Sequence, residues 1–163
     1  MNQKVKNLPA LLPIIRRFKK QGKRIVFTNG CFDLLHLGHV TYLDRAKSKG
    51  DFLVVGINSD RSVRKLKGKE RPLVAQSDRA RVLAGLASVD YVTIFDEPTP
   101  LSLIQAIQPD ILVKGSDWEK DNIVGSDVVR GRGGKVVRIP VVKGISTSQI
   151  IKRFVERYAR KEK

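Results

Sequence analysis

Both histidines of this 163-residue chain stand in one stretch, Thr28-Asn29-Gly30-Cys31-Phe32-Asp33-Leu34-Leu35-His36-Leu37-Gly38-His39. They flank Leu37 and Gly38, after the apolar run Ile25-Val26-Phe27 and before Val40-Thr41-Tyr42-Leu43. A helix opening near Gly38 would set both imidazoles together at its N-terminal end. Such an end carries unpaired N–H groups and partial positive charge, so it receives anions. Two imidazoles beside it point to phosphate chemistry. The pair could equally be ordinary surface or helix-start residues. Cys31, His36 and His39 also offer ligand types that zinc accepts. No fourth ligand is apparent, and the glycine-rich surroundings suit a phosphate cradle better.

Elements must hold these groups in place, and the chain supplies them as apolar runs alternating with amphipathic stretches. Residues 8–20 read as an amphipathic helix whose regular part Pro9 and Pro13 confine to the later residues. A first strand covers 24–29, and a helix over 38–49 is closed by Gly50. The run 51–59, with Phe52-Leu53-Val54-Val55-Gly56-Ile57, predicts a strand buried on both faces. Ser77 or Asp78 is expected to cap a helix through Ala87. A third strand follows over 91–95, then a helix from Thr99 and Pro100 to about Gln108, then a fourth strand over 110–114. A short helix over 125–133 leads to a fifth strand over 135–139, and Ser146 opens a last helix through Tyr158. The basic segment 61–74, with Gly68 and Pro72, is expected to be irregular, either a mobile lid over anions or a solvated loop.

Strands alternating with helices imply parallel units joined by right-handed crossovers. The expected fold is α/β: a Rossmann-like open parallel sheet of five strands with helices on both faces. It forms a single domain over 1–163, with a core of about 24–154 and residues 1–23 as a helical extension. Ligands of such sheets bind beyond the carboxyl ends of the strands, where strand order reverses. Three distant segments would meet there: the turn 29–37, the run Lys114-Gly115-Ser116-Asp117-Trp118, and 140–148. In the last, Gly144-Ile145-Ser146-Thr147-Ser148 sets a glycine and hydroxyls at a helix start. That arrangement suits phosphate oxygens or plain capping by Ser146.

Composition narrows the partners. The formal net charge is +16, from 32 basic and 16 acidic residues, which attracts anions. Aromatics make up only 6% of the chain, and no helix-turn-helix, zinc-finger or RNP pattern is present, so nucleic acid is not the expected partner. Nucleotides and sugar phosphates are. No run is long and apolar enough to span a membrane, and no secretory signal is evident at Met1-Asn2-Gln3-Lys4-Val5-Lys6. One cysteine excludes an internal disulfide framework and fits a reducing compartment, so a cytoplasmic setting is expected.

Gly30-Cys31-Phe32-Asp33-Leu34-Leu35-His36-Leu37-Gly38-His39 after the first strand, with Gly144-Ile145-Ser146-Thr147-Ser148 before the last helix, resembles the cytidylyltransferase-like nucleotidyltransferases and their HxGH signature. Lys114-Gly115-Ser116-Asp117-Trp118 resembles their third landmark. Within that family the chain looks most like the heptose 1-phosphate adenylyltransferase domain of bacterial ADP-heptose synthesis. Val-Gly-Ile-Asn-Ser-Asp at 55–60, Leu-Lys-Gly-x-x-Arg-Pro at 66–72 and Pro-Asp-Ile-Leu-Val-Lys-Gly at 109–115 carry that likeness.

The resemblance implies transfer of AMP from ATP to a sugar 1-phosphate, with pyrophosphate leaving. It makes His36, His39 and Lys67 the catalytic groups. It assigns nucleotide contacts to Gly30, Cys31, Phe32, Gly38, Lys114, Gly115, Asp117, Trp118, Gly144, Ile145, Ser146 and Thr147. Substrate contacts would come from Asn29, Asp33, Lys65, Lys67, Arg71 and Arg79. It also implies Mg²⁺ carried on ATP phosphates with no direct protein ligand, a homodimer, and a separate sugar kinase upstream. Two departures matter. Val141 stands where glycerol-phosphate cytidylyltransferases carry arginine, which weakens a cytidylyl reading, and Cys31 stands where many relatives have threonine, serine or valine. The same chemistry on another phosphorylated acceptor, such as glycerol 3-phosphate, is the alternative.

Overall fold

The computed structural model describes residues 3–116, 119 and 122–158. The elements run α1 (Leu8–Lys20), β1 (Ile25–Gly30), α2 (Leu37–Lys47), β2 (Phe52–Asn58), α3 (Asp60–Lys67), α4 (Gln76–Ala84), β3 (Tyr91–Phe95), α5 (Leu101–Ile107), β4 (Ile111–Gly115), α6 (Ser126–Gly131), β5 (Lys135–Ile139) and α7 (Thr147–Tyr158). The five strands form one parallel sheet in the order β3-β2-β1-β4-β5.

Side chains alternate across the sheet, so each strand feeds two cores. Val26, Leu53, Val55, Ile57, Ile111 and Val113 pack with Leu43 and Ala46 of α2 and with Ala80, Leu83 and Ala84 of α4. Ile25, Phe27, Val54 and Leu112 pack on the other face with Leu11 and Ile15 of α1, Leu103, Ile104 and Ile107 of α5, and Val129 of α6. The α/β sandwich expected from the alternation is therefore present, with helices on both faces. The first helix is part of it: Leu11 is fully buried, and α1 runs unbroken from Leu8 although Pro13 lies inside it. Pro9 falls in the first turn, where a missing N–H costs nothing.

Two expectations need correction. Residues 61–74 are not irregular throughout, because α3 occupies Asp60–Lys67. The Ser59 side chain accepts a bond from the Ser62 N–H and so caps this helix, while Val63 is buried beneath it. Neither Ser77 nor Asp78 caps α4: Ala75 is the N-cap residue and gives no side-chain bond, and Ser77 pairs instead with Asp78.

The pairing of β1 decides where a ligand can enter. β1 pairs with β2 over six residues, from Ile25 opposite Phe52 to Gly30 opposite Ile57. It pairs with β4 only at Val26 opposite Ile111 and Phe27 opposite Leu112. Beyond Phe27 the ladder stops, and side chains bridge the parted strands. Tyr42 Oη lies 2.7 Å from Thr28 Oγ1 and donates to the Val113 carbonyl at 3.1 Å. Lys114 Nζ donates to Asn29 Oδ1. Sheet order reverses between β1 and β4, so this wedge lies at the crevice where open α/β sheets take ligands.

Gly50 tests the packing behind that crevice. A Cβ there would meet Val26 Cγ2 at 2.6 Å and the Arg24 carbonyl oxygen at 3.0 Å. Gly50→Ala should cost about 1–3 kcal/mol by overpacking. A denaturant midpoint unchanged by this substitution would contradict the close approach.

Candidate active site

The turn after β1 is strained and crowded around its histidines. Phe32 has φ 45°, a left-handed conformation unfavourable for a bulky side chain, and it is nearly buried. Its ring lies over Gly30, where a Cβ would come within 3.0 Å of Phe32 Cε2. His36 is the N-cap residue of α2 in extended conformation, and no side chain caps that helix. Its ring folds over Gly38, where a Cβ would meet His36 Nδ1 at 3.0 Å. That contact gives the glycine between the histidines a physical reason. The His36 and His39 rings then stack, with centroids 3.8 Å apart and planes 20° from parallel, and Phe32 tilts against His39 at 5.1 Å.

Burial disfavours the charged form of both rings. Burial lowers His36. Burial first, then the charge of His36, brings His39 down to about 4, against an opposing contribution from the Leu34 carbonyl. His36 Nδ1 is buried over Gly38 with no partner, whereas the Leu34 carbonyl stands beside the buried His39 ring.

These rings open into a cavity of about 670 Å³ at the carboxyl edge of the sheet. Its wall joins Asn29, Gly30, Cys31, Phe32, Asp33, Gly38, Lys67, Arg71, Lys114, Gly115, Ile145, Ser146 and Thr147 to the histidine pair. Ser146 Oγ accepts from the Gln149 N–H at 3.2 Å and so caps α7 as well as facing the cavity. Thr147 Oγ1 donates to the Leu34 carbonyl at 3.4 Å, which ties α7 to the histidine turn. Lys67, the last residue of α3, is exposed, and its charge acts on the Cys31 thiol. Burial raises that thiol, with Lys67, Arg79 and Arg71 opposing, so Cys31 is a poor nucleophile. Its Sγ turns to Asn58 Oδ1 at 3.9 Å, and among the described residues no three His, Cys, Asp or Glu side chains stand together as a metal site.

Several candidate residues do other work. Arg79 does not reach the cavity: it is 1% exposed, and its guanidinium donates to the carbonyls of Val74, Cys31 and Asn58 and to Asp60 Oδ1. Asp33 faces the cavity but its oxygens accept from the Leu73 and Val74 N–H groups and from Arg71 Nε at 2.6 Å, so it holds a loop rather than a ligand. Burial would raise this carboxyl, and those three bonds overcome burial and hold it below the usual range. Lys65 and Gly144 are not on the cavity wall. Gly144 has φ 78° and supplies the left-handed turn that delivers Ile145 and Ser146. Asp117 and Trp118 lie outside the described residues.

The wall also holds residues that sequence reasoning passed over. Asn58 ends β2, is buried, and donates to Ser62 Oγ at 3.0 Å. Pro98, Thr99 and Pro100 follow β3, and Tyr42 belongs to α2. The rule that led to the other loops, the carboxyl edge of each strand, points to Asn58 and 98–100 as well.

His39 gives the site a pH signature. Its folded pKa of about 4 lies below the unfolded value of 6.5, so the unfolded chain takes up that proton first. Stability from this group is whole above about pH 6.5 and is lost as pH falls toward 4. Chemical denaturation between those limits should show a shallower pH slope for His39→Gln, by up to about one proton. Equal slopes would mean that the folded ring protonates freely.

Comparisons with known proteins identify the family and the fold. The Cytidylyltransferase-like family model matches residues 27–153. The bifunctional protein HldE of Geobacter sulfurreducens is 55% identical over 155 residues, which is 95% of this chain and 32% of that protein. The bifunctional protein HldE of Methylobacillus flagellatus is 58% identical over 151 residues, 93% of this chain and 31% of that protein. The chain thus spans about a third of the length of these relatives. A lipopolysaccharide core biosynthesis protein from Thermoplasma volcanium superposes with a TM-score of 0.62 at 30% identity, covering 76% of this chain and all of that one. The fold is shared with the pantoate–β-alanine ligase of Francisella tularensis, at a TM-score of 0.60 and 17% identity over 96% of this chain and 78% of that one. The chain belongs to the cytidylyltransferase-like family, and its histidine turn lies inside the matched region.

Proposed function

We propose that this chain transfers AMP from ATP to a sugar 1-phosphate, D-glycero-β-D-manno-heptose 1-phosphate, giving ADP-heptose and pyrophosphate for lipopolysaccharide core precursors. The observation that carries the reading is the stacked pair His36 and His39, sharing one cavity wall with Lys67, Arg71, Ser146 and Thr147. Likeness to the HldE proteins and to a lipopolysaccharide core biosynthesis protein supports the acceptor.

A phosphate oxygen of the sugar forms the new bond to the α-phosphorus of ATP, and the bond from that phosphorus to the bridging oxygen breaks. The nucleophile is already an anion, so no general base is needed. The barrier lies in crowding negative charge around one phosphorus, and catalysis rests on positioning and charge stabilisation. Neutral His36 and His39 donate hydrogen bonds without repelling the cations around them. The first-turn amides of α2, left without a side-chain cap, receive phosphate oxygens. Lys67 supplies a point charge from above, and Ser146 and Thr147 hold the leaving pyrophosphate. Asp33 is the sole carboxylate on the described wall and its oxygens are engaged, so Mg²⁺ fits as an ion carried on ATP phosphates, where it would offset their charge. Val141 lines the cavity where glycerol-phosphate cytidylyltransferases carry arginine, which supports ATP over CTP.

The acceptor requires a kinase that phosphorylates the sugar beforehand, and a cytoplasmic setting supplies ATP and Mg²⁺. The apolar stripe of Phe154, Val155 and Tyr158 left exposed on α7 supports a homodimer.

The test is pyrophosphate release with heptose and hexose 1-phosphates against all four nucleoside triphosphates. ATP with the heptose phosphate should be preferred, and His39→Ala should lower turnover by about 10²-fold or more, the scale of losing a preorganised donor. Release of pyrophosphate that ignores the added sugar phosphate would overturn the reading.

A further inference from the structure

Residues 60–74 are pinned at both ends and, early in α3, by buried Ser62 and Val63 and by the Arg61–Asp96 pair; only 64–70 stand clear. At the start, Asp60 N–H donates to Gln76 Oε1 at 2.9 Å, and Ser59 Oγ donates to Asp96. At the end, the Leu73 and Val74 N–H groups donate to Asp33. Between these anchors every residue from 64 to 70 is exposed, including Arg64, Lys65, Lys67 and Lys69. The segment is a cationic strap, and Lys67 is its one lysine on the cavity wall.

One side chain touches both ends of the strap and the histidine turn together. Arg79 Nη2 donates to Asp60 Oδ1 at 2.7 Å and to the Asn58 carbonyl at 2.9 Å. Its Nε donates to the Val74 carbonyl at 2.9 Å, and its Nη1 donates to the Cys31 carbonyl. All three nitrogens of a fully buried planar group are engaged, and a rigid fork transmits position where a flexible ammonium would not. Asp60 begins α3 and Lys67 ends it, about 10 Å along the axis at 1.5 Å per residue. A tilt of about 10° at Asp60 would therefore shift the Lys67 ammonium by about 2 Å, enough to spoil its aim.

We propose that Arg79 is a positioning residue that sets Lys67 against the histidine turn, with Asp60 as the link through which it acts. This rests on the nucleotidyl-transfer reading for Lys67, and it makes Arg79 an organiser of the phosphate site rather than a ligand of it. A residue that merely stabilised the fold would act regardless of whether Lys67 is present.

The experiment is a double-mutant cycle on kcat/KM for ATP, with thermal melts confirming folded protein. Asp60→Ala should lower kcat/KM about tenfold in the wild-type background and no more than about twofold in Lys67→Ala. Asp60→Asn, which keeps an acceptor for Arg79, should restore most of the loss. Arg79→Lys, which keeps the charge but not the fork, should behave like Asp60→Ala. An Asp60→Ala penalty equal in both backgrounds, or absent in both, would overturn the proposal. The same cycle is read on ATP affinity by titration calorimetry. A wild-type chain that binds ATP but transfers nothing would therefore defeat the proposed reaction, while the binding cycle would still decide the role of Arg79.

Discussion

The site exists because β1 and β4 pair for two residues and then part. A parallel ladder carried to the ends of both strands would close the sheet where the ligand must enter. Here the backbone bonds stop after Phe27, and Tyr42 and Lys114 span the gap by side chains instead. Tyr42 and Lys114 thus satisfy polar groups along the parted strands, as a buried crevice requires. The glycine-bearing turn of β1, the end of β4 and the start of α7 then face one space, although they come from residues more than a hundred apart in the chain.

Electrostatics bears on why the two rings on the cavity wall are histidines. The chain carries +16, and the cavity wall holds Lys67, Arg71 and Lys114. Two protonated imidazoles stacked at 3.8 Å would add repulsion to that field. In the proposed reaction, neutral rings would donate directed hydrogen bonds and leave the compensation of phosphate charge to the lysines. Carboxylates are kept out of the ligand's reach by the same logic: Asp33 is on the wall, but Arg71 and two backbone amides occupy its oxygens.

Much of the fold was legible in the chain. Alternating apolar runs and helical stretches point to the parallel α/β sheet because period and burial are local properties, and the strands over 52–58, 91–95 and 135–139 follow from them directly. The helix α3 was not legible. Its residues are mostly charged, and it forms because Ser59 caps it and Val63 finds a pocket on the sheet. Likewise Ala75, with no capping side chain, begins α4 against the polar residues beside it. In both places tertiary contact outweighs local preference.

The chain by itself determined the residue types and spacing of the histidine turn; folding lays the His36 ring over Gly38 and Phe32 over Gly30. It determined the sheet edge at which the polar loops meet. Only the tertiary structure decided what each charged side chain does there. Arg79 and Asp33 have the composition of ligand-binding residues, yet their partners lie up to 48 and 41 residues away, and these contacts turn them into fasteners. A side chain's type is written locally, but whether it meets a ligand or another part of the chain depends on which distant groups folding brings within hydrogen-bond reach.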